Sequence, residues 1–189
     1  VIVQASHGRQ DGVDQSEAQA FGEARAPGGA VVGKIWLRHT PEWGETRFEG
    51  LVGRRWRVDA PAAAAAVQGG VIARGAFDDG VEWGGEARLM AGWDLGGGGF
   101  AGAEAGLQVF STGLEPRLEA TVGRSWGRSL AYGQLRYDQD HEGRGYARAE
   151  ANFVAFSAGR FGVQLGARLG LDHDEQAVVI GLWRTRAPR

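Results

Sequence analysis

Few residues in this chain are equipped for proton transfer or metal binding. There are four histidines, His7, His39, His141 and His173, and no cysteine. Two of the histidines stand in acidic stretches, DQDHE over 138–142 and DHDE over 172–175. Carboxylates gathered in this way could hold a divalent cation through oxygen ligands. Solvated turns favour the same residues, and neither stretch has the spacing of an EF-hand loop. The expectation is no metal and no cofactor. Nucleophilic chemistry has as little support. Ser6 precedes His7 directly, and Ser111 lies near the edge of an extended segment. Neighbours on a strand point to opposite faces, so Ser6 and His7 are not placed to share a proton, and only a dyad assembled across strands stays open. No catalytic residue and no enzymatic activity are expected.

A second group of polar residues is larger and periodic. Glu45, Arg47, Glu49, Arg55 and Arg57 fall on alternate positions of one stretch; Glu82, Glu86 and Arg88 do so in another. Glu104, then Arg117 with Glu119, Arg148 with Glu150, and Arg168 continue the rule further along. A period of two is that of a strand, so each set shares one face of one strand.

The opposite faces of these strands are apolar and small-sided. In EWGGEARLMAGWD (82–94), Trp83, Gly85, Ala87, Leu89, Ala91 and Trp93 lie together. In FGVQLGARLGLD (161–172), Phe161, Val163, Leu165, Ala167, Leu169 and Leu171 alternate with Gly162, Gln164, Gly166, Arg168, Gly170 and Asp172 without an error. Stretches 100–110, 115–126 and 146–156 follow the same pattern, with Arg124 a misfit on its apolar face. Segments 16–25, 31–39, 45–58, 68–77, 129–137 and 176–186 bring the count of strands to eleven, and VIVQASHG (1–8) has the β-branched character of one more. Turn signals such as Gly96 to Gly99, Thr112-Gly113 and Gly127-Arg128 separate them. APAAAAAVQGG (60–70) reads as a longer loop, its five alanines being too few to require a helix.

Composition narrows the class. Among 189 residues there are 33 glycines, yet 43% are hydrophobic and 10% aromatic, which excludes collagen-like and disordered chains. The 21 basic and 23 acidic residues are spread along the chain, so nothing points to a nucleic-acid partner. No apolar run is long enough for a transmembrane helix. The chain starts at Val1 without an apolar leader, which fits a mature chain whose secretory signal has been removed, or a trimmed one. A single domain over 1–189 is expected, with residues 1–15 a short first strand or an extension.

Short turns between regularly spaced strands make an up-and-down meander. A face of Ala, Leu and Val is too small-sided to fill a barrel of many strands. Glycine with paired Glu and Arg inside, and apolar side chains outside, suits a barrel turned inside out, its apolar face meeting lipid. The tryptophans fit that arrangement. Ten residues at about 3.3 Å each, tilted by about 45°, span roughly 23 Å, close to the ~25 Å apolar band of membrane barrels, whose edges carry aromatic girdles. Trp83 and Trp93 would mark the two interfaces, with Trp56 and Trp126 adding to them.

On this pattern, from Glu17 to Arg186, the chain resembles the small bacterial outer-membrane β-barrel class. The resemblance implies an all-β, antiparallel, up-and-down transmembrane barrel of even strand number, twelve, with ten as the alternative, and a polar lumen lined by the Glu and Arg residues above. It implies residence in the bacterial outer membrane, contact with the lipid bilayer and lipopolysaccharide, and a role as a channel or export pore for polar or saccharide solutes. A non-conducting structural barrel within an envelope or secretion assembly is the alternative, followed by a soluble β protein or a lipid-modifying enzyme. Such barrels usually finish on an aromatic residue. Here Trp183 is the nearest candidate, and six residues follow it. Termini on the periplasmic side would put the turns at Gly127-Arg128 and 157–159 there, and the loops at 78–80, 137–145 and 172–175 outside.

Overall fold

Alternation carries most of the chain into strands. The computed structural model describes residues 1–58, 63–77, 79–157 and 161–184. Its strands are β1 (Ile2–Gln10), β2 (Val13–Ala26), β3 (Gly29–Thr40), β4 (Glu45–Val58), β5 (Ala64–Ala76), β6 (Val81–Gly96), β7 (Gly99–Phe110), β8 (Gly113–Trp126), β9 (Ser129–Gln139), β10 (Gly145–Phe156), β11 (Phe161–Gly170) and β12 (Glu175–Arg184). Each pairs antiparallel with its sequence neighbours, and β1 closes on β12, Ile2 opposite Trp183 and Gln10 opposite Glu175. The fold is a closed, twelve-stranded, antiparallel barrel. Residues 1–10 supply the first strand, so the count is twelve and not ten.

With an even number of strands, both ends of the described chain lie at one rim, which we call the terminal rim. The turns Pro27-Gly28, Gly97-Gly98 and Gly127-Arg128 share it. Asp11-Gly12, the Pro41–Trp43 helical turn, Ser111-Thr112, and the loops 140–144 and 171–174 form the far rim. Asp11 and Gly12 both have left-handed backbone, φ 51° and 82°, as a two-residue hairpin of matching twist requires. The expected turn at 157–159 and the loop at 78–80 extend partly outside the described residues.

Two expected boundaries move. Residues 60–70 are not one loop, because β5 begins at Ala64 and Ala64 to Ala66 pair with Gly92 to Met90 of β6. Alanine has little preference of its own, and the open hydrogen-bonding edges of β4 and β6 decide for strand. Residues 59–62 lie outside the described ones. β11 ends at Gly170, two residues short of its expected end at Asp172, because the Asp172 carboxylate turns back to accept from the Ala147 N–H at 2.9 Å.

Large rings inside the wall are seated over glycine. A Cβ on Gly123 would lie 2.5 Å from the Phe100 ring and 2.7 Å from the Tyr132 Cβ. Gly84 has the same relation to Phe110, at 2.6 Å. Part of the high glycine content is thus a packing requirement, glycine serving where a neighbour comes close to the backbone.

Candidate functional site

Side chains on strands that are not neighbours in a closed sheet can touch only through the barrel interior, and several pairs do. Arg117 of β8 donates to both carboxylate oxygens of Glu49 on β4, at 3.2 and 3.0 Å. Arg168 of β11 reaches Glu17 of β2 at 2.7 Å while bonding Glu150 on β10 at 2.9 Å. Arg74 of β5 bonds Glu115 of β8 at 2.6 Å and Glu82 of β6 at 3.0 Å. Arg88 is held by Glu86 at 2.6 Å and lies 3.4 Å from Glu104. Asp138 lies within 3.4 Å of Arg117, Arg136 and Arg148. Guanidinium groups match carboxylates two N–H bonds at a time, and buried charge persists only when partnered in this way.

Toward the terminal rim the interior changes from ionic to amide and aromatic. Gln19 donates to Gln4, Gln4 donates to Gln164 at 2.7 Å, and Gln164 donates to Asn152 at 2.5 Å. The Trp183 indole donates to Gln164 at 2.5 Å, and its ring lies 6.1 Å from Tyr132 and 6.4 Å from Phe156. At the rim itself Glu23, Arg25, Arg55 and Arg57 line a cavity of about 310 Å³. Arg55 bonds Glu23 at 2.8 Å.

The residues expected to line the lumen are placed as follows. Glu49, Glu82, Glu86, Arg88, Glu104, Arg117, Arg148, Glu150 and Arg168 are brought together in the pairs above. Glu119 accepts from Gln134 at 2.9 Å, and Glu45 pairs with Arg47 at 2.8 Å. Arg57 stands at the terminal-rim cavity with Arg55. Sequence reasoning missed Glu17, Arg38, Arg74, Gln4 and Gln19, whereas Gln108, Glu115 and Gln164 share the alternating polar faces of Glu104, Arg117 and Arg168. Odd positions of β2, Glu17, Gln19, Glu23 and Arg25, carry the same alternation, with Phe21 as its one apolar break.

The histidines are dispersed. His7 contacts Ser16 at 3.0 Å and His39 contacts Thr46 at 2.9 Å. Ser16 stands opposite His39 in the β2–β3 register, so the four form one polar row across the outer surface of β1 to β4. Ser6 is buried while His7 is exposed. Ser111 donates to Glu82 at 2.7 Å instead of to a histidine. Among the described residues no carboxylate orients the His7 ring, as an activated serine would need. No cluster of metal-binding type occurs among the described residues.

His173 is different. Its Nδ1 lies 2.6 Å from Asp172 and its Nε2 2.9 Å from Glu175, with the Tyr146 ring edge-on at 5.7 Å. Burial favours the neutral ring, but the hydrogen bonds to the two carboxylates outweigh it and raise the His173 pKa. The bonds from His173 and the Ala147 N–H hold the Asp172 carboxyl below its usual range. In the neighbouring loop, burial of Asp140 is outweighed by bonds from the Arg144 backbone and side chain, which lower its pKa.

On the outer face, Trp56, Trp83, Trp93 and Trp126 are exposed by 41, 68, 41 and 48%. Leu89, Leu118, Leu135, Val163, Leu165 and Ile180 are exposed there too. A soluble barrel would bury this surface.

No family model and no curated protein matches the sequence. Solved structures do match its fold. The KdgM porin aligns over 98% of this chain and 99% of its own, at 7% identity and TM-score 0.67. The NanC porin aligns over 97% and 100%, at 10% identity and TM-score 0.63. The beta domain of the Bordetella autotransporter BrkA aligns over 98% of both chains, at 15% identity and TM-score 0.55. The first two are porins and not enzymes, and the likeness is one of fold.

Proposed function

We propose that the chain is a bacterial outer-membrane channel for small polar solutes, saccharides among them. The observation that carries this reading is the inversion of the barrel: guanidinium–carboxylate pairs bridge its interior while its outer face presents leucine, valine and tryptophan. In the membrane, Trp83 on one side and Trp56, Trp93 and Trp126 on the other sit at the two water interfaces, and the far rim meets lipopolysaccharide. Solutes pass along a lumen lined by Glu45, Arg47, Glu49, Arg55, Arg57, Glu82, Glu86, Arg88, Glu104, Arg117, Glu119, Arg148, Glu150 and Arg168. Because most of its charges are paired and an amide and aromatic zone follows them, the lumen suits a neutral or zwitterionic polyhydroxylated solute. A KdgM porin has been solved in complex with disordered oligogalacturonate, which supports a saccharide for this fold. The Arg117–Glu49 and Arg168–Glu17 bridges favour one competing reading, a non-conducting barrel embedded in an envelope assembly.

Planar-bilayer recording separates the two. A channel gives discrete conductance steps with the unmodified chain. A sealed barrel gives none, and conducts only when Glu49→Ala and Arg117→Ala remove the bridge together.

A further inference from the structure

Two arginines break the apolar rule of the outer face, and they break it in the same way. Arg54 of β4 stands in VGRRW (52–56), and Arg124 of β8 in VGRSW (122–126). Each shares the exposed face of its strand with the preceding Val and the following Trp: Val52 and Trp56, Val122 and Trp126. Each donates to the carbonyl of the first residue of a two-residue turn at the terminal rim. Arg54 bonds Pro27, in the β2–β3 turn, and Arg124 bonds Gly97 at 3.2 Å, in the β6–β7 turn. The two units therefore repeat one design four strands apart: a turn, an arginine tied to it by one bond, and a tryptophan beside it. Arg54 lies 5.7 Å from the Trp56 ring centroid.

A guanidinium has five N–H donors, and among the described residues the hydrogen bonds of these two go only to the turn carbonyls. The acid at the end of β6, Asp94, shares the inward parity of Glu86 and Arg88 and accepts from the Gly96 N–H at 2.8 Å. On the outer face of the strand ends at this rim, the charged side chains among the described residues are Arg54, Arg124 and Arg184, all basic. At the far rim the outward Arg9 is instead neutralised by Asp14 at 3.0 Å. An exposed arginine over an apolar belt, with an interfacial tryptophan beside it, is complementary to a phosphate on an acyl-chain support: the fork takes the phosphate oxygens, and valine and tryptophan take the upper chain.

We propose that Arg54–Trp56 with the Pro27-Gly28 turn, and Arg124–Trp126 with the Gly97-Gly98 turn, are two equivalent sites for the phosphate headgroup of an anionic phospholipid in the leaflet at the terminal rim. The proposal rests on the membrane-barrel reading. Its own content is that lipid is bound there at fixed sites, two per barrel.

The test is native mass spectrometry of the barrel refolded in detergent micelles, with dimyristoyl phosphatidylglycerol, phosphatidylcholine or inorganic phosphate added at equal concentration. The unmodified chain retains two phosphatidylglycerol molecules, Arg54→Gln or Arg124→Gln one, and the double variant none. Arg144→Gln at the far rim retains both. Phosphatidylcholine is retained at least tenfold less, and inorganic phosphate neither binds nor competes. An unchanged lipid count in the folded double variant overturns the proposal, as does equal retention of the two lipids or displacement by phosphate. Should the glutamine variants not give the heat-modifiable band of a folded barrel, Arg54→Lys and Arg124→Lys keep the charge and lose the fork. They must then retain phosphatidylglycerol more weakly, and undiminished retention overturns the proposal equally. Failure of the unmodified chain to fold in micelles would instead strike the membrane reading itself.

Discussion

Arg117 on β8 and Glu49 on β4 meet across the barrel as a two-bond pair, at 3.2 and 3.0 Å, with side chains only 18 and 13% exposed. The pair ties together strands that share no ladder, so it braces the wall and occupies the lumen at once. Removing one partner strands the other in a poorly solvated interior, at a cost of about 3–5 kcal/mol. Glu49→Gln is therefore expected to lower the urea midpoint of the barrel in micelles or vesicles. The Glu49→Ala and Arg117→Ala double variant should recover part of that loss and raise single-channel conductance. Equal midpoints for Glu49→Gln and the unmodified chain would remove the pair from any account of stability.

The far-rim clamp at His173 should respond to pH. Both ring nitrogens face carboxylates, Asp172 at 2.6 Å and Glu175 at 2.9 Å, and only the imidazolium can donate to both. Glu175 also lies 3.5 Å from Arg168, so the clamp joins the loop to the ionic interior. The folded-state pKa of His173 is raised. Its contribution to stability is thus fully present below the unfolded value of about 6.5, and is lost as pH rises through the higher folded value. Hydrogen exchange of the 171–174 loop should quicken over that window, beyond the intrinsic rise in exchange rate with pH. In His173→Gln the added pH dependence should vanish, and its persistence there would place the titration elsewhere.

Gly123 tests whether glycine is a packing device in this wall. Any Cβ at that position meets the Phe100 ring at 2.5 Å and the Ala131 carbonyl at 2.7 Å. Gly123→Ala should destabilise the barrel by about 1–3 kcal/mol, the range for overpacking a tight site. Phe100→Leu in the same chain should return part of it, read as the unfolding midpoint in detergent. If Gly123→Ala is neutral, the strand has room that the geometry denies it.

Much of the fold was legible because one physical rule governs most strands. In β11 every outward position is apolar and every inward one is Gly, Gln or Arg, so period two appears without noise. The strands with mixed faces were harder. In β3 and β5 the buried positions include Val32 and Ile72, while Val31 and Val71 are exposed, so polarity does not tell the two faces apart. The partners inside the barrel were not legible at all. Arg117 and Glu49 lie 68 residues apart, and only closure of β1 on β12 brings β8 within reach of β4. Arg124 looked like an error in its strand because its turn-carbonyl partner belongs to another hairpin.

The exposed tryptophans give the membrane reading its sharpest test. Trp83 lies near the start of β6 at the far rim and Trp93 near its other end, both on the outer face. At a rise of about 3.3 Å per residue and a tilt of about 45°, they sit roughly 23 Å apart along the barrel axis, one at each edge of an apolar band of ~25 Å. The His7, Ser16, His39 and Thr46 row shows where the outer surface of β1 to β4 turns polar on the far-rim side. In chains retaining a single tryptophan, both residues should be quenched by lipids brominated near the headgroup and hardly at all by lipids brominated at the chain ends. Trp83→Ala and Trp93→Ala should each lower stability in vesicles by about 1–2 kcal/mol, as expected for withdrawing a ring from an apolar surface. The same variants should be close to neutral if the ring faces only water. Quenching at the chain ends would place the apolar belt elsewhere on the barrel, and no quenching in vesicles that contain the folded chain would mean that this face does not meet lipid.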